Sequence, residues 1–79
     1  MKIAEIKRLV ENCSIEELQQ AESDILEEKS PKITLEGDDE GENLTHVFAA
    51  IYIIESMSSG KDFKTALREY TAKVRESIS

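Results

Sequence analysis

The chain has 79 residues and a net charge of −7, and these two properties exclude several classes of protein. A chain this short forms one small domain, whose core leaves only about 3–5 kcal/mol of net stability. Its acidity repels phosphate groups, so we expect no nucleic-acid partner and no anionic membrane as partner. A single cysteine excludes an internal disulfide, and together with a single histidine it cannot form a structural zinc site. The longest apolar run, residues 47–54, is too short to span a bilayer, and no signal peptide is recognisable, so a soluble cytoplasmic protein is expected.

The charge is distributed unevenly along the chain. Residues 1–36 carry nine acids and five bases, and residues 37–60 carry five acids and no base. Residues 61–79 reverse the balance with three acids and five bases. The middle of the chain is therefore its most acidic part, and the last quarter is weakly basic.

Apolar residues at helical spacing predict the first two helices, at about residues 2–12 and 15–28. Ile3, Ile6 and Val10 share one face of the first helix. Ser14 and Glu17 have the spacing of a capping box, which predicts that the second helix begins directly after Ser14. Its end is expected near Ser30, because a residue that precedes proline is disfavoured in helical geometry.

Residues 32–36, KITLE, alternate polar and apolar side chains, which predicts a short extended or β segment between helices 2 and 3. A strand needs a neighbour for its backbone hydrogen bonds, and the sequence shows no second strand. We therefore expect either an extended segment that is wetted along one edge or a strand that pairs with its counterpart in a second copy.

The third helix, at about residues 42–58, is apolar almost all round, which is typical of a helix buried on more than one side. One stripe contains Leu44, Val47, Phe48, Ile51 and Ile54, and the opposite side contains Ala49, Ala50, Ile53 and Met57. Either this helix is the centre of the domain, or its alanine face contacts another subunit. The fourth helix, at about residues 62–77, is amphipathic, with Lys64, Arg68 and Arg75 on one flank.

Together these elements predict a mainly α fold, a compact single domain over residues 1–79 with four helices and one extended or β segment. A homodimer is the favoured assembly. The reasons are the small core, the third helix with two apolar sides, and the segment 32–36 that lacks a pairing partner.

The candidate functional segment is the acidic loop, Glu36–Glu42, at the start of the third helix. Its candidate interaction residues are Glu36, Asp38, Asp39, Glu40 and Glu42, with His46 one turn further on. Asp39 and Glu42 have capping-box spacing, and acids favour a helix N-terminus, but capping needs only one or two of the five. The surplus predicts a recognition loop that contacts a basic surface on a protein partner. The alternative is a divalent-cation site, although the loop fails as an EF-hand because Val47 stands where the bidentate glutamate belongs.

His46 follows Glu42 by four residues, so we expect a hydrogen-bonded pair and a pKa raised by the nearby acids. This histidine is interpreted as partly buried, with a pH-sensitive interface contact as the alternative. Cys13 lies on an apolar helical stripe and is interpreted as an inert core thiol. No nucleophile, base and acid form a catalytic pattern, and no phosphate-binding or dinucleotide motif occurs. The chain is therefore predicted not to be an enzyme, with no catalytic residue, no metal ligand and no cofactor.

Three stretches resemble a small family of uncharacterised bacterial proteins of about this length. They are EIKRLVE at residues 5–11, EGDDEGE followed by LTHVFAA at residues 36–50, and DFKTALREYT at residues 62–71. The resemblance implies a complete stand-alone protein, and it supplies no catalytic residue. The expected function is a non-catalytic protein-interaction module, with a cation-binding protein or a small regulatory subunit of an enzyme as alternatives.

Overall fold

The computed structural model describes residues 2–78, with side chains described up to residue 76. Its four helices are α1 (Ile3–Asn12), α2 (Ile15–Leu26), α3 (Glu40–Ser58) and α4 (Phe63–Ile78), which confirms the mainly α, four-helix prediction. The molecule measures 32 × 29 × 19 Å. A helix with its side chains is about 10 Å across, so the shortest dimension holds two layers of helices. No helix in the described residues is long and apolar enough to cross a membrane.

Local capping interactions set the starts of α2 and α3. The Glu17 N–H donates to Ser14 Oγ at 3.2 Å, and the Ser14 N–H donates to Glu17 Oε1 at 2.9 Å, so the predicted capping box is confirmed. At α3 the Glu42 N–H donates to Asp39 Oδ1 at 2.7 Å. This cap starts α3 at Glu40, as the capping-box spacing of Asp39 and Glu42 predicts and slightly before the range of about 42–58 expected from the apolar pattern. The helix α2 ends at Leu26, two residues before its predicted end at about residue 28. Glu28, just beyond it, has a φ of +60°.

The core has two halves, and α3 contributes to both. In the first half, the buried residues are Leu9 of α1, Leu18, Ala21 and Ile25 of α2, and Val47 and Ala50 of α3. In the second half, they are Ile6 of α1, Ala49 and Ile53 of α3, and Ala66 of α4. The other helices of the chain therefore cover α3 on two sides, so its apolar composition does not by itself require a second subunit.

The small residues of α3 are among its most deeply buried. Ala49 and Ala50 have no exposed surface, and the same holds for Ile53 on their side and for Val47 on the opposite stripe. Each side also has an exposed residue, since Phe48 of that stripe is 41% exposed and Met57 of the alanine side is 40% exposed. Small side chains allow the backbones of neighbouring helices to approach closely, which explains why the two alanines are buried. Phe48, although it lies on the apolar stripe, belongs to neither half of the core.

Residues 32–36 form no strand, and no strand occurs anywhere in residues 2–78, so the predicted β segment is not supported. The physical reason is that a strand needs a neighbouring strand for its backbone hydrogen bonds, and residues 2–78 contain none. Ile33 and Leu35 are instead half-buried against the first half of the core, and Arg8 donates to the carbonyl oxygen of Thr34 at 2.6 Å. Strand pairing between two copies would thus start from a segment without strand structure.

Candidate functional site

The acidic loop lies on the surface beside the start of α1, and its candidate residues come together there. Glu36, Asp38, Asp39 and Glu40 are exposed, and Glu42 is half-buried. Asp38 is the most open of the carboxylates that form ion pairs, with 80% of its side chain exposed. The loop therefore presents its acids to solvent along a short stretch of backbone.

Hydrogen bonds from the first turns of α3 hold the loop backbone in place. The Gly37 N–H donates to Asn43 Oδ1 at 2.7 Å, and the Asp38 N–H donates to Glu42 Oε1 at 3.1 Å. A Cβ at Gly37 would displace the Asn43 side chain, so glycine at this position preserves the hydrogen bond to Asn43 Oδ1. The predicted capping box at Asp39 forms in one direction only, since the Glu42 carboxylate accepts from the N–H of Asp38 and not from that of Asp39.

Lys2 ties the loop to the start of α1, and sequence reasoning missed this residue. Its Nζ donates to the Glu36 carbonyl oxygen at 3.2 Å and lies 3.4 Å from Asp38 Oδ1 and 3.8 Å from Glu42 Oε1. Exposed ion pairs of this kind contribute at most about 1 kcal/mol each, so Lys2 positions the loop more than it stabilises the fold. Because more than thirty residues separate the partners, no local spacing in the sequence indicates the contact.

Below the loop, Glu5 and Arg8 form an ion pair that is enclosed on the Glu5 side. Glu5 is 4% exposed and accepts from both Nε and a terminal nitrogen of the Arg8 guanidinium. These hydrogen bonds hold the pKa of Glu5 below its ordinary value of 4.5, against the opposing effect of burial. Arg8 also binds the carbonyl oxygen of Thr34, so the pair connects α1 to the segment that leads into the loop. The spacing of three residues on one helix was the available signal for this pair.

His46 is completely buried, and its partner is not the expected one. Its Nε2 accepts the backbone N–H of Lys2 at 3.0 Å, whereas Glu42 is bound elsewhere, so the predicted Glu42–His46 pair is wrong. An accepting Nε2 leaves the proton of the neutral ring on Nδ1, which is buried and has no hydrogen-bond partner in the described residues. Burial lowers the pKa of His46 and outweighs the opposing effect of Glu42 and Glu5, so the predicted rise is also wrong.

Two other candidates for chemistry are placed unfavourably for it. Cys13 is half-buried, and burial raises the pKa of its thiol, so the reactive thiolate is disfavoured at neutral pH. Among the described residues no three His, Cys, Asp or Glu side chains converge as a group that could hold a metal ion. The carboxylates of Asp39 and Glu42 instead accept backbone N–H groups.

Comparison with known proteins agrees with the resemblance drawn from the three sequence stretches. Residues 1–79 match the model of a family of unknown function. No curated protein and no solved structure matches the chain. The predicted membership in a family without an assigned activity is therefore confirmed.

Proposed function

Because the chain belongs to DUF6952, a family of unknown function, we propose a function from its own contacts. The protein is a non-catalytic protein-interaction module, and its acidic loop binds a basic surface on a protein partner. One observation carries the proposal: the loop presents exposed carboxylates, such as that of Asp38, on a backbone held by Asn43, Glu42 and Lys2.

The fixed backbone supports binding because it reduces the entropy that the loop loses when a partner docks. A flexible acidic segment would lose that entropy in full. The charge of the loop contributes in another way, since complementary charges accelerate encounter and select partners more than they add affinity. The proposed contact is thus rapid, sensitive to salt and selective for basic surfaces.

The non-catalytic part of the proposal is supported by the positions of His46 and Cys13. The imidazole of His46 has no exposed surface, so a substrate in solution cannot reach it. The thiol of Cys13 is kept protonated by burial. No observation of comparable weight favours the divalent-cation alternative.

The test is affinity capture with a variant whose loop carries two fewer negative charges. Wild-type protein and the variant Asp38→Asn/Asp39→Asn are immobilised and exposed to extract of the source cells at low salt. Asparagine at position 39 still caps α3, so helix content should stay unchanged. The control variant Glu11→Gln/Glu16→Gln removes the same charge from exposed positions on α1 and α2.

Proteins captured by the wild type and by the control, released by salt, and absent from the loop variant would support the proposal. If all three immobilised proteins capture the same set of proteins at low salt, the acidic loop is not the surface that recognises those proteins. Far-UV circular dichroism checks that the three proteins carry equal helix content.

A further inference from the structure

A second surface lies mainly on α4, and it also includes Ile3 at the start of α1. It is an open groove of about 370 Å³, which we call the basic groove. Its apolar and neutral lining consists of Ile3, Leu67, Thr71 and Ala72, and its charged lining consists of Lys64, Arg68 and Arg75. No carboxylate lines it, which is unusual in a chain of net charge −7.

The charges of the basic groove are not neutralised locally. Lys64, Arg68 and Arg75 form no ion pair with the residues that the structure describes, and all three are exposed. The pKa of Asp62 is lowered mainly by hydrogen bonds from Thr65, whose N–H donates to its carboxylate at 2.8 Å, and to a lesser extent by the nearby charges of Lys64 and Arg68. The groove thus combines three free cations with an apolar floor, in which Ile3 is 55% exposed. This chemistry suits an acidic partner that also covers an apolar side chain.

The acidic loop and the basic groove adjoin each other through two consecutive residues. Lys2 contacts the loop at Glu36, Asp38 and Glu42, and the next residue, Ile3, lines the groove. In a dimer whose two-fold axis passes near Ile3, the loop of each chain can lie over the groove of the other. We propose that the partner of the acidic loop is a second copy of this chain, docked in this way; the inference rests on the proposed function and names its partner.

Symmetry makes this pairing self-consistent. One two-fold axis forms two equal contacts between loop and groove, so the assembly closes as a dimer and leaves neither surface free to recruit a third copy. The two Ile3 side chains meet near the axis and are covered by the charged pairs around them, as in interfaces with an apolar centre and a polar rim. The interface differs from strand pairing and does not need residues 32–36 to form a strand.

The test exchanges charges between the two surfaces. In the groove variant, Lys64→Glu/Arg68→Glu, one new acid lies in the first turn of α4, where the helix dipole favours it, and the other lies at an exposed position one turn later. In the loop variant, Asp38→Lys/Glu40→Lys, the cap residue Asp39 is kept. A control variant, Lys29→Glu/Lys32→Glu, reverses two exposed bases that lie outside the groove. Masses are measured by sedimentation equilibrium at low salt, up to roughly 500 µM because small polar interfaces bind weakly.

Wild type and control should dimerise, and each surface variant alone should associate at least about tenfold more weakly, because like charges then face each other. An equal mixture of the two variants should restore the dimer, since both of its contacts again join opposite charges. Ile3→Ser should weaken association without changing helix content, because Ile3 is already largely exposed.

A monomeric wild type over the whole concentration range would overturn the inference. So would a dimer that both surface variants and Ile3→Ser leave unchanged, or a mixture that stays monomeric while both variants keep their helix content. None of these results excludes the proposed function, because the loop variant in the capture experiment can still lose a different basic partner. Equal capture by all variants, together with a charge-dependent dimer, would confine the loop to self-association.

Discussion

The burial of His46 leads to a specific prediction about acid sensitivity. The chain has one histidine, so His46→Gln removes the side chain whose ordinary pKa lies between about pH 5 and pH 8. Glutamine keeps an oxygen acceptor near the position of Nε2, where the N–H of Lys2 donates. Because burial lowers the pKa of His46 in the folded protein, the unfolded chain binds a proton at higher pH than the folded chain does. Stability should therefore fall as the pH decreases below the ordinary value of 6.5.

The ordinary pKa of the unfolded state sets the largest possible effect. A pH of about 5 lies roughly 1.5 pH units below the ordinary pKa of histidine, so His46 is almost fully protonated in the unfolded chain. When the folded form stays neutral, this protonation lowers the free energy of unfolding by at most about 2 kcal/mol. Against a total of about 3–5 kcal/mol for a domain of this size, that loss is large. At about pH 8 the histidine is neutral in both the folded and the unfolded state, so the wild type keeps its full stability there.

The measurement is urea unfolding of wild type and His46→Gln, followed by circular dichroism at several pH values between about 8 and 5. The stability of each protein is compared with its own value at about pH 8, so any pH-independent loss of stability caused by the substitution cancels. The wild type should lose up to about 2 kcal/mol more than the variant on acidification. Parallel pH dependences for the two proteins would refute the assignment of a buried, neutral imidazole that accepts the Lys2 N–H.

Three further predictions concern stability and use the same unfolding measurement. Glu5→Gln removes the charge bound by Arg8 and should lower the free energy of unfolding by about 1.5–3 kcal/mol near neutral pH. Because the pKa of Glu5 is lowered in the folded protein, the difference in stability between wild type and variant should shrink below pH 4.5. It should vanish once Glu5 is protonated in the folded wild type. Ser14→Ala removes one half of the capping box and should cost about 1 kcal/mol. Gly60→Ala should cost about 1–2 kcal/mol, because Gly60 has a φ of +106° and no atom lies within 4 Å of the added Cβ, so the cost comes from the backbone alone.

Each of these substitutions has a matched control on the same chain. Glu11→Gln changes an exposed glutamate of α1 and should stay within about 0.5 kcal/mol of wild type, as should Ser30→Ala. Gly41→Ala places its Cβ in ordinary contact with Asp39 Oδ1 inside α3 and should be neutral or stabilising. If the controls lose as much stability as the test variants, the explanations from the Glu5 ion pair, the capping box and the positive φ are wrong.

The helices could be predicted from the sequence because their signals are local. The apolar period of α1 and the capping pair Ser14 and Glu17 depend on residues within one or two turns of each other. Asp39 was predicted to cap α3 for the same reason, and it does so. The alternation in residues 32–36 placed Ile33 and Leu35 on the same side, where both are half-buried, although no strand forms.

The contacts that build the candidate site could not be predicted in this way. His46 is bound by a residue 44 positions earlier, and spacing along a helix could only point to Glu42 as its partner. The direction of its pKa shift was predicted wrongly for a related reason: the nearby acids can be read from the sequence, whereas the burial of His46 cannot. The exposure of Phe48 depends on which sides of α3 are covered by α2 and α4, which the period of α3 alone does not determine.

The central position of α3 also bears on how the protein is made. Its main packing partners are α1, α2 and α4, so the first two helices gain most of their burial only when α3 is present. A ribosome completes α1 and α2 well before it reaches Ser58, and a domain folds only when its packing partners have emerged. We expect Leu9 and Leu18 to stay exposed to solvent in the nascent chain until α3 has emerged from the ribosome.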